Sequence, residues 1–229
     1  LYDAIGDLPP VQAHITMTGI PKEKRHVIKT LNGQCYRGEE DIPFPEERFL
    51  KHREKLKLQG KLFLDSVKPS SSCGARMTGH VARGQQQSDV ELFGLMPPGT
   101  TSKDIFFGTN HELKKLKHLI KYNMDSFKDK YRKHSWDSPC TTIFAHLQKD
   151  GNRFIHPDSS QARTFTVQEA ARIRSFPDNF IFTAPGNVRY KYIGNAVPPL
   201  LGNAIGQAIY KVLNKLCYKG ETNICLPVK

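Results

Sequence analysis

The chain has 229 residues, 38% hydrophobic and 24% charged, a globular balance that excludes a disordered polyelectrolyte. Thirty-four lysines and arginines against 22 acids give a net charge of +12, which points to a polyanion such as nucleic acid, with plain solubility as the competing explanation. No run approaches the ~18 apolar residues of a membrane span and no signal segment opens the chain, so a cytoplasmic protein with no membrane partner is expected.

In chain order, LYDAIGDLPPV is helix-like up to Gly6 and is stopped by Pro9–Pro10. Residues 11–45 carry little periodicity and are expected to be irregular. PEERFLKHREKLKLQ (residues 45–59) has Pro at its start, Glu46 and Glu47 in the first turn and Gly60 just beyond, which predicts a helix over 45–59. Residues 66–87 are rich in Ser, Gly and Gln and are expected to form a long loop, either solvated or functional. Its candidate functional side chains are Arg76, His80 and Arg83.

Short helices are predicted over 88–95, 112–120 and 126–134. Lys114, Lys117 and Lys121 would share one helix face, either as a solvated surface or as a phosphate-facing stripe. The β-branched run CTTIFAHL (residues 140–147) predicts a strand, KDGN a turn and RFIH a return strand, together a hairpin. Thr166 with Glu169 three residues on is a capping box opening a helix that ends at Phe176–Pro177. A long helix over 198–216 would place Leu201, Ile205, Ile209 and Val212 on one apolar face. Cys35, Cys73, Cys140, Cys217 and Cys225 are scattered without C-x-x-C spacing, and the nine histidines show no ligand pattern, so neither disulfides nor a metal site is expected.

RTFTVQEAARIRSFPDNF (residues 163–180), followed after a thirteen-residue gap by GNAVPP (residues 194–199), resembles the last two sequence blocks of DNA cytosine-5 methyltransferases. The resemblance is nearly continuous from Phe127 to Leu213. DAIGDLPPV and GHVARGQQQSDVELFGLMPPG add weaker matches to the lead into a target-recognition domain and to a DNA-facing segment.

The resemblance implies an α+β chain: a small recognition domain with few strands and long loops, plus C-terminal helices that complete a Rossmann-like methyltransferase domain. Residues 1–10 would end the connection from the catalytic domain, 11–160 would form the recognition domain, 161–216 would return to the catalytic domain, and 217–229 would be a tail. Arg163, Thr166 and Glu169, with Arg172, would be scaffold. Asn195, Ala196 and Val197 would line the S-adenosylmethionine pocket, with Ala196 standing where many relatives have Ser. Arg76, His80, Arg83, Thr141 and Thr142 would face double-stranded DNA. Base readout would come from the 72–87 loop and the 140–153 hairpin, with the Lys-rich segments on phosphates.

The chemistry of the family needs a cysteine thiolate that attacks the cytosine ring, beside a glutamate, with the target base outside the helix. The Pro-Cys-Gln and Glu-Asn-Val blocks that carry these groups are absent, as is the Gly-rich cofactor loop. Pro139–Cys140 is followed by Thr141, which makes Cys140 a half-buried strand residue rather than the nucleophile. No catalytic residue is therefore assigned, and the chain is expected to be inactive alone. It would need a catalytic domain in cis or as a partner subunit; Leu1, where Met would stand, predicts an excised fragment over a natural split subunit. The alternatives are a structural subunit, a non-catalytic DNA-binding remnant, or part of a transfer-RNA cytosine-5 methyltransferase. In a bacterium a nucleoid location and a restriction-modification role would follow.

Overall fold

Short apolar runs interrupted by Pro and Gly build mostly brief helices and strands of two or three residues, with the polar connections carrying much of the chain. The computed structural model describes residues 1–15, 38–71, 74–123 and 130–218. It comprises two compact units, Leu1–Asn195 and a second beginning at Ala196.

The first unit opens with α1 (Tyr2–Ile5) and β1 (His14–Ile15). There follow β2 (Asp41–Pro43), α2 (Glu46–Lys55), α3 (Leu58–Val67), β3 (Arg76–Thr78), β4 (Gly84–Gln85), α4 (Gln87–Leu95), α5 (Ser102–Phe107) and α6 (His111–Lys114). Single 3-10 segments occupy Lys115–Leu119 and Ala145–Gln148, and α7 (Val167–Ile173) and α8 (Val188–Asn195) close the unit. β1 pairs in parallel with β4, and β2 pairs antiparallel with β3, Ile42 opposite Met77. The architecture is α+β, dominated by helices with two-stranded sheets. In the second unit α9 (Pro199–Tyr218) extends two residues beyond the expected helix.

Three local expectations are corrected. Gly60 does not stop the helix begun at residue 46: Leu56 turns extended, and a second helix, α3, runs through Gly60. A Cβ on Gly60 would lie 2.6 Å from Asp3 Oδ2, so glycine is used there to let α1 close on α3.

The 140–156 hairpin does not form. Residues 140–144 join no ladder, 145–148 form a 3-10 turn, and Ile155 bridges Lys133 and Thr164 instead. A helix over 126–134 is likewise replaced at residues 130–134, where Arg132 bridges Thr101 and Lys133 bridges Ile155. Residues 126–129 lie outside the described residues. Both misreadings share a cause: the two segments bond to each other, Ile155 N–H donating to the Arg132 carbonyl and His134 N–H to the Ile155 carbonyl, both at 3.0 Å.

The expected loop contains two short strands, β3 and β4, and Ser72 and Cys73 within it are outside the described residues. One apolar core gathers Val90, Leu92 and Phe93 of α4 with Ile105 of α5, Leu116, Leu119 and Tyr131. Tyr131 donates its hydroxyl proton to Asp89 Oδ1 at 2.9 Å, which satisfies the phenol inside that core.

α7 is the polar keystone, and its capping box forms as expected. Glu169 N–H donates to Thr166 Oγ1 at 3.1 Å, and Thr166 N–H donates to Glu169 Oε2 at 2.8 Å. Arg163 clasps both Glu169 oxygens at 2.7 Å and also donates to the Val11 carbonyl. Burial alone would raise the Glu169 carboxyl, but the charge and hydrogen bonds of Arg163 outweigh it and hold the group far below the usual carboxylate range.

Around this network histidines are buried neutral. Burial pushes His134 down to about 4 and His156 down to about 3, from 6.5. Between pH 6.5 and 4 the unfolded chain therefore binds protons that the folded chain refuses, so stability present above pH 6.5 is lost as pH falls. The expected slope near pH 5 is about 1.4 kcal/mol per pH unit for each of the two histidines. Urea midpoints at pH 7, 6 and 5 check this; a midpoint unchanged across that range contradicts it.

Candidate DNA-facing and cofactor-edge site

Thr141 and Thr142 are exposed on the irregular stretch that leads into the 145–148 turn. The turn is held from behind by α8, whose Tyr190, Ile193 and Gly194 recur at i, i+3 and i+4 on one face. Tyr190 and Ile193 are buried, and Tyr190 donates its hydroxyl proton to the Phe165 carbonyl at 2.8 Å. Gly194 meets the turn backbone directly: a Cβ there would stand 2.2 Å from Ala145 N and 2.3 Å from Phe144 C. The next residue, Asn195, ends α8 with its amide exposed. The candidate DNA-facing threonines and the candidate cofactor-edge asparagine are thus joined through one glycine contact. Ala196 and Val197, which begin the second unit, are half-buried and exposed, respectively.

Arg76 is exposed on β3 and donates through Nε to both carboxylate oxygens of Asp41, at 2.7 and 2.8 Å, across the β2–β3 pair. An ion pair so open to solvent contributes little to stability, and its guanidinium can turn to a phosphate at small cost.

His80 lies inside. Its Nε2 is 2.7 Å from the Pro9 carbonyl, an acceptor only, so Nε2 carries the proton and Nδ1 accepts from the Thr166 hydroxyl at 3.1 Å. Burial lowers its pKa, which keeps the ring neutral. Its contact is with the α7 cap.

Arg83 is 8% exposed and lies over Tyr190, the guanidinium carbon 4.1 Å from the ring centre. Nε, Nη1 and Nη2 are buried and make no hydrogen bond among the described residues. The face of Tyr190, together with the nearby negative charge of Asp150, stands in for hydrogen-bond acceptors. Of the five DNA-facing candidates, Arg76, Thr141 and Thr142 are therefore at the surface, and His80 and Arg83 are behind it.

Cys140 sits with Sγ 3.9 Å from His134 Nε2, and burial pushes its thiol up to about 12. A thiol so far from ionisation is no nucleophile at neutral pH. The scaffold residues Arg163, Thr166 and Glu169 meet in the buried network described above. Arg172 forms a second network with Asp7 and Asp178.

Sequence reasoning missed α8, and with it Tyr190 and the contact of Gly194 with the 145–148 turn. The signal was present in the helical spacing of Tyr190, Ile193 and Gly194.

A model of the C-5 cytosine-specific DNA methylase family matches residues 25–211. The chain belongs to that family. Type II methyltransferase M.Bpa9945I of Bacillus paralicheniformis is 38% identical over 122 residues, covering 52% of this chain and 26% of the relative. Type II methyltransferase M.AgeI of Thalassovita gelatinovora is 30% identical over 212 residues, covering 85% of this chain and 47% of the relative. The DNA (cytosine-5)-methyltransferase CMT2 of Oryza sativa subsp. japonica matches 62 residues at 39% identity, 27% of this chain. This chain thus spans less than half the length of these two Type II methyltransferases. Among the described residues no helix is long and apolar enough to cross a membrane.

Proposed function

We propose that this chain is the C-terminal, DNA-recognising part of a DNA cytosine-5 methyltransferase. It binds duplex DNA and supplies one edge of the S-adenosylmethionine pocket, while the attacking cysteine and its glutamate belong to a catalytic domain outside these 229 residues. Residues 11–160 carry recognition, and residues 161–216 return to the catalytic domain. Alone the chain transfers no methyl group, and it acts in the cytoplasm, at the nucleoid in a bacterium.

The observation that carries the reading is the Gly194 contact, which ties exposed Thr141 and Thr142 to Asn195. Exposed hydroxyls suit phosphate contacts. The exposed Asn195 amide offers both a donor and an acceptor to a zwitterionic cofactor, which would bring the methyl group. Arg76 adds a surface cation, whereas His80 and Arg83 act by holding the surface from behind. The exposed apolar side chains of α9, among them Leu201 at 51% and Ile209 at 54%, fit a helix that docks on a Rossmann-like catalytic domain.

The test is titration of the chain with labelled duplex DNA from low to moderate salt. The expected result is a linear fall of log K with log salt, with a slope of about −0.9 for each phosphate neutralised. No binding at low salt, or binding without a slope, refutes DNA recognition. The burial of His80 and Arg83 favours a second reading, a structural subunit that stabilises a catalytic partner without reading bases. Under it, methyl transfer is restored on mixing with that partner while the chain itself binds no DNA.

A further inference from the structure

Gln86 and Lys121 form an exposed pair although 35 positions separate them: the Lys121 ammonium donates to Gln86 Oε1 at 2.7 Å. Strand alternation sets the direction of Gln86. Gln85, the last residue of β4, faces inward at 5% exposure, so its successor faces out. Gln86 is also the N-cap of α4, yet its side chain caps no backbone N–H of that helix. It is turned to Lys121 instead. The negative charge of Asp89, in the first turn of α4, attracts Lys121 to the same end of the helix.

Two tethers place this pair near the segment that carries Thr141 and Thr142. Gln85 Nε2 donates to the Asp150 carbonyl at 3.2 Å. Tyr122, the neighbour of Lys121, donates its hydroxyl proton to the Asp150 carboxylate at 3.4 Å. Asp150 itself follows closely on the 145–148 turn, into which the two threonines lead.

We infer that Gln86 and Lys121 together read a guanine in the major groove of bound duplex DNA, donating to its N7 and O6. The inference rests on the DNA-recognition reading and adds to it the side chains and the base through which recognition becomes specific. Hydrogen-bond chemistry selects the base. An unencumbered glutamine pairs with adenine, its oxygen accepting from N6 while its nitrogen donates to N7. Here an ammonium occupies that oxygen, and its other N–H groups confront the adenine amino group donor to donor. The same conflict excludes cytosine, whose N4 is also a donor. The pair presents donors: the two amide protons of Gln86 and the remaining protons of Lys121, which meet no other acceptor among the described residues. Guanine shows two adjacent acceptors on its major-groove edge, whereas thymine shows one beside a methyl group.

The experiment enriches bound sites from a randomised duplex pool with the 229-residue chain and with two variants, and sequences what each retains. The parent should retain sites with an invariant guanine. In a single enriched duplex, 7-deazaguanine at that position, which lacks the N7 acceptor, should weaken binding about tenfold. Lys121→Met keeps the stem and frees Oε1, so it should admit adenine beside guanine at that position. Gln86→Glu turns the donor amide into an acceptor and should favour cytosine there. Both side chains are exposed, so neither variant should change the melting temperature, and bases are compared within each protein whatever its overall affinity. Identical base preferences in all three proteins, or no loss with 7-deazaguanine at any retained guanine, overturn the inference and leave DNA recognition intact. Binding of the pool without any enrichment does the same. If the parent binds no duplex at low salt, the recognition reading falls, and the inference with it.

Discussion

Replacing Arg172 with methionine is expected to lower the unfolding free energy by about 3–5 kcal/mol, enough to unfold a marginal domain. Arg172 is fully buried and donates from Nε and Nη2 to the two carboxylate oxygens of Asp178, at 2.7 and 2.5 Å. Its Nη1 reaches Asp7 Oδ1, also at 2.5 Å. Neither acid has solvent to fall back on: Asp7 is 1% exposed and Asp178 is not exposed at all. Gln168 adds a hydrogen bond to Asp178 Oδ1 at 2.9 Å, so the cluster ties the segments at residues 7 and 178 to α7.

Removing the cation leaves two carboxylates facing each other in a low-dielectric interior. Burial already raises the Asp178 carboxyl against the pull of Arg172, so without the arginine at least one acid must take up a proton or the fold must open. The pair itself need not stabilise the fold on balance, because its desolvation is costly. An all-apolar replacement of the three groups is therefore expected to recover much of the loss. Urea unfolding checks both statements. The single variant should shift the midpoint at unchanged slope, and Arg172→Met with Asp7→Leu and Asp178→Leu should shift it back. A single variant as stable as the parent would mean that the network is dispensable.

That network was only partly legible in the sequence, and the reason is physical. The Thr166–Glu169 capping box is a local signal, three residues apart, and it appears in the structure as read. The partners of Arg172 come from residue 7 and residue 178, and no local pattern announces a contact across 165 positions. Gly60 was misread because glycine serves two ends. As a chain terminator it stops helices, and as the smallest residue it lets α1 approach α3; only tertiary contact decides between them. The CTTIFAHL run has strand propensity, but propensity is a weak prior where a helix packs across the segment. There α8 packs on the 145–148 turn. Arg83 looked like a surface residue by type, and the Tyr190 face that buries it lies more than a hundred residues away.

Gly194→Ala should destabilise the chain by about 1–3 kcal/mol, with Gly194→Val worse. The sign is informative, because the intrinsic effect runs the other way. Gly194 lies within α8, where alanine is favoured over glycine by about 1 kcal/mol. The added methyl would meet Ala145 N at 2.2 Å and Phe144 C at 2.3 Å, and both are backbone atoms that no rotamer change can move aside. Relief requires α8 to retreat from the 145–148 turn, which displaces Thr141 and Thr142 relative to Asn195. A loss of duplex affinity of about tenfold is therefore expected alongside the lower melting temperature. Gly206→Ala is the control: in α9 no atom lies within 4 Å of the added methyl, so helix propensity alone should leave that variant as stable as the parent or slightly more so. If Gly194→Ala behaved like Gly206→Ala in thermal melting and in DNA titration, the close approach would not be what holds the two ends of the site together. If only melting changed, the glycine would serve the fold and not the site. The expected pattern is a loss in both measurements, because the atoms that the methyl strikes belong to the turn carrying Phe144 and following Thr142.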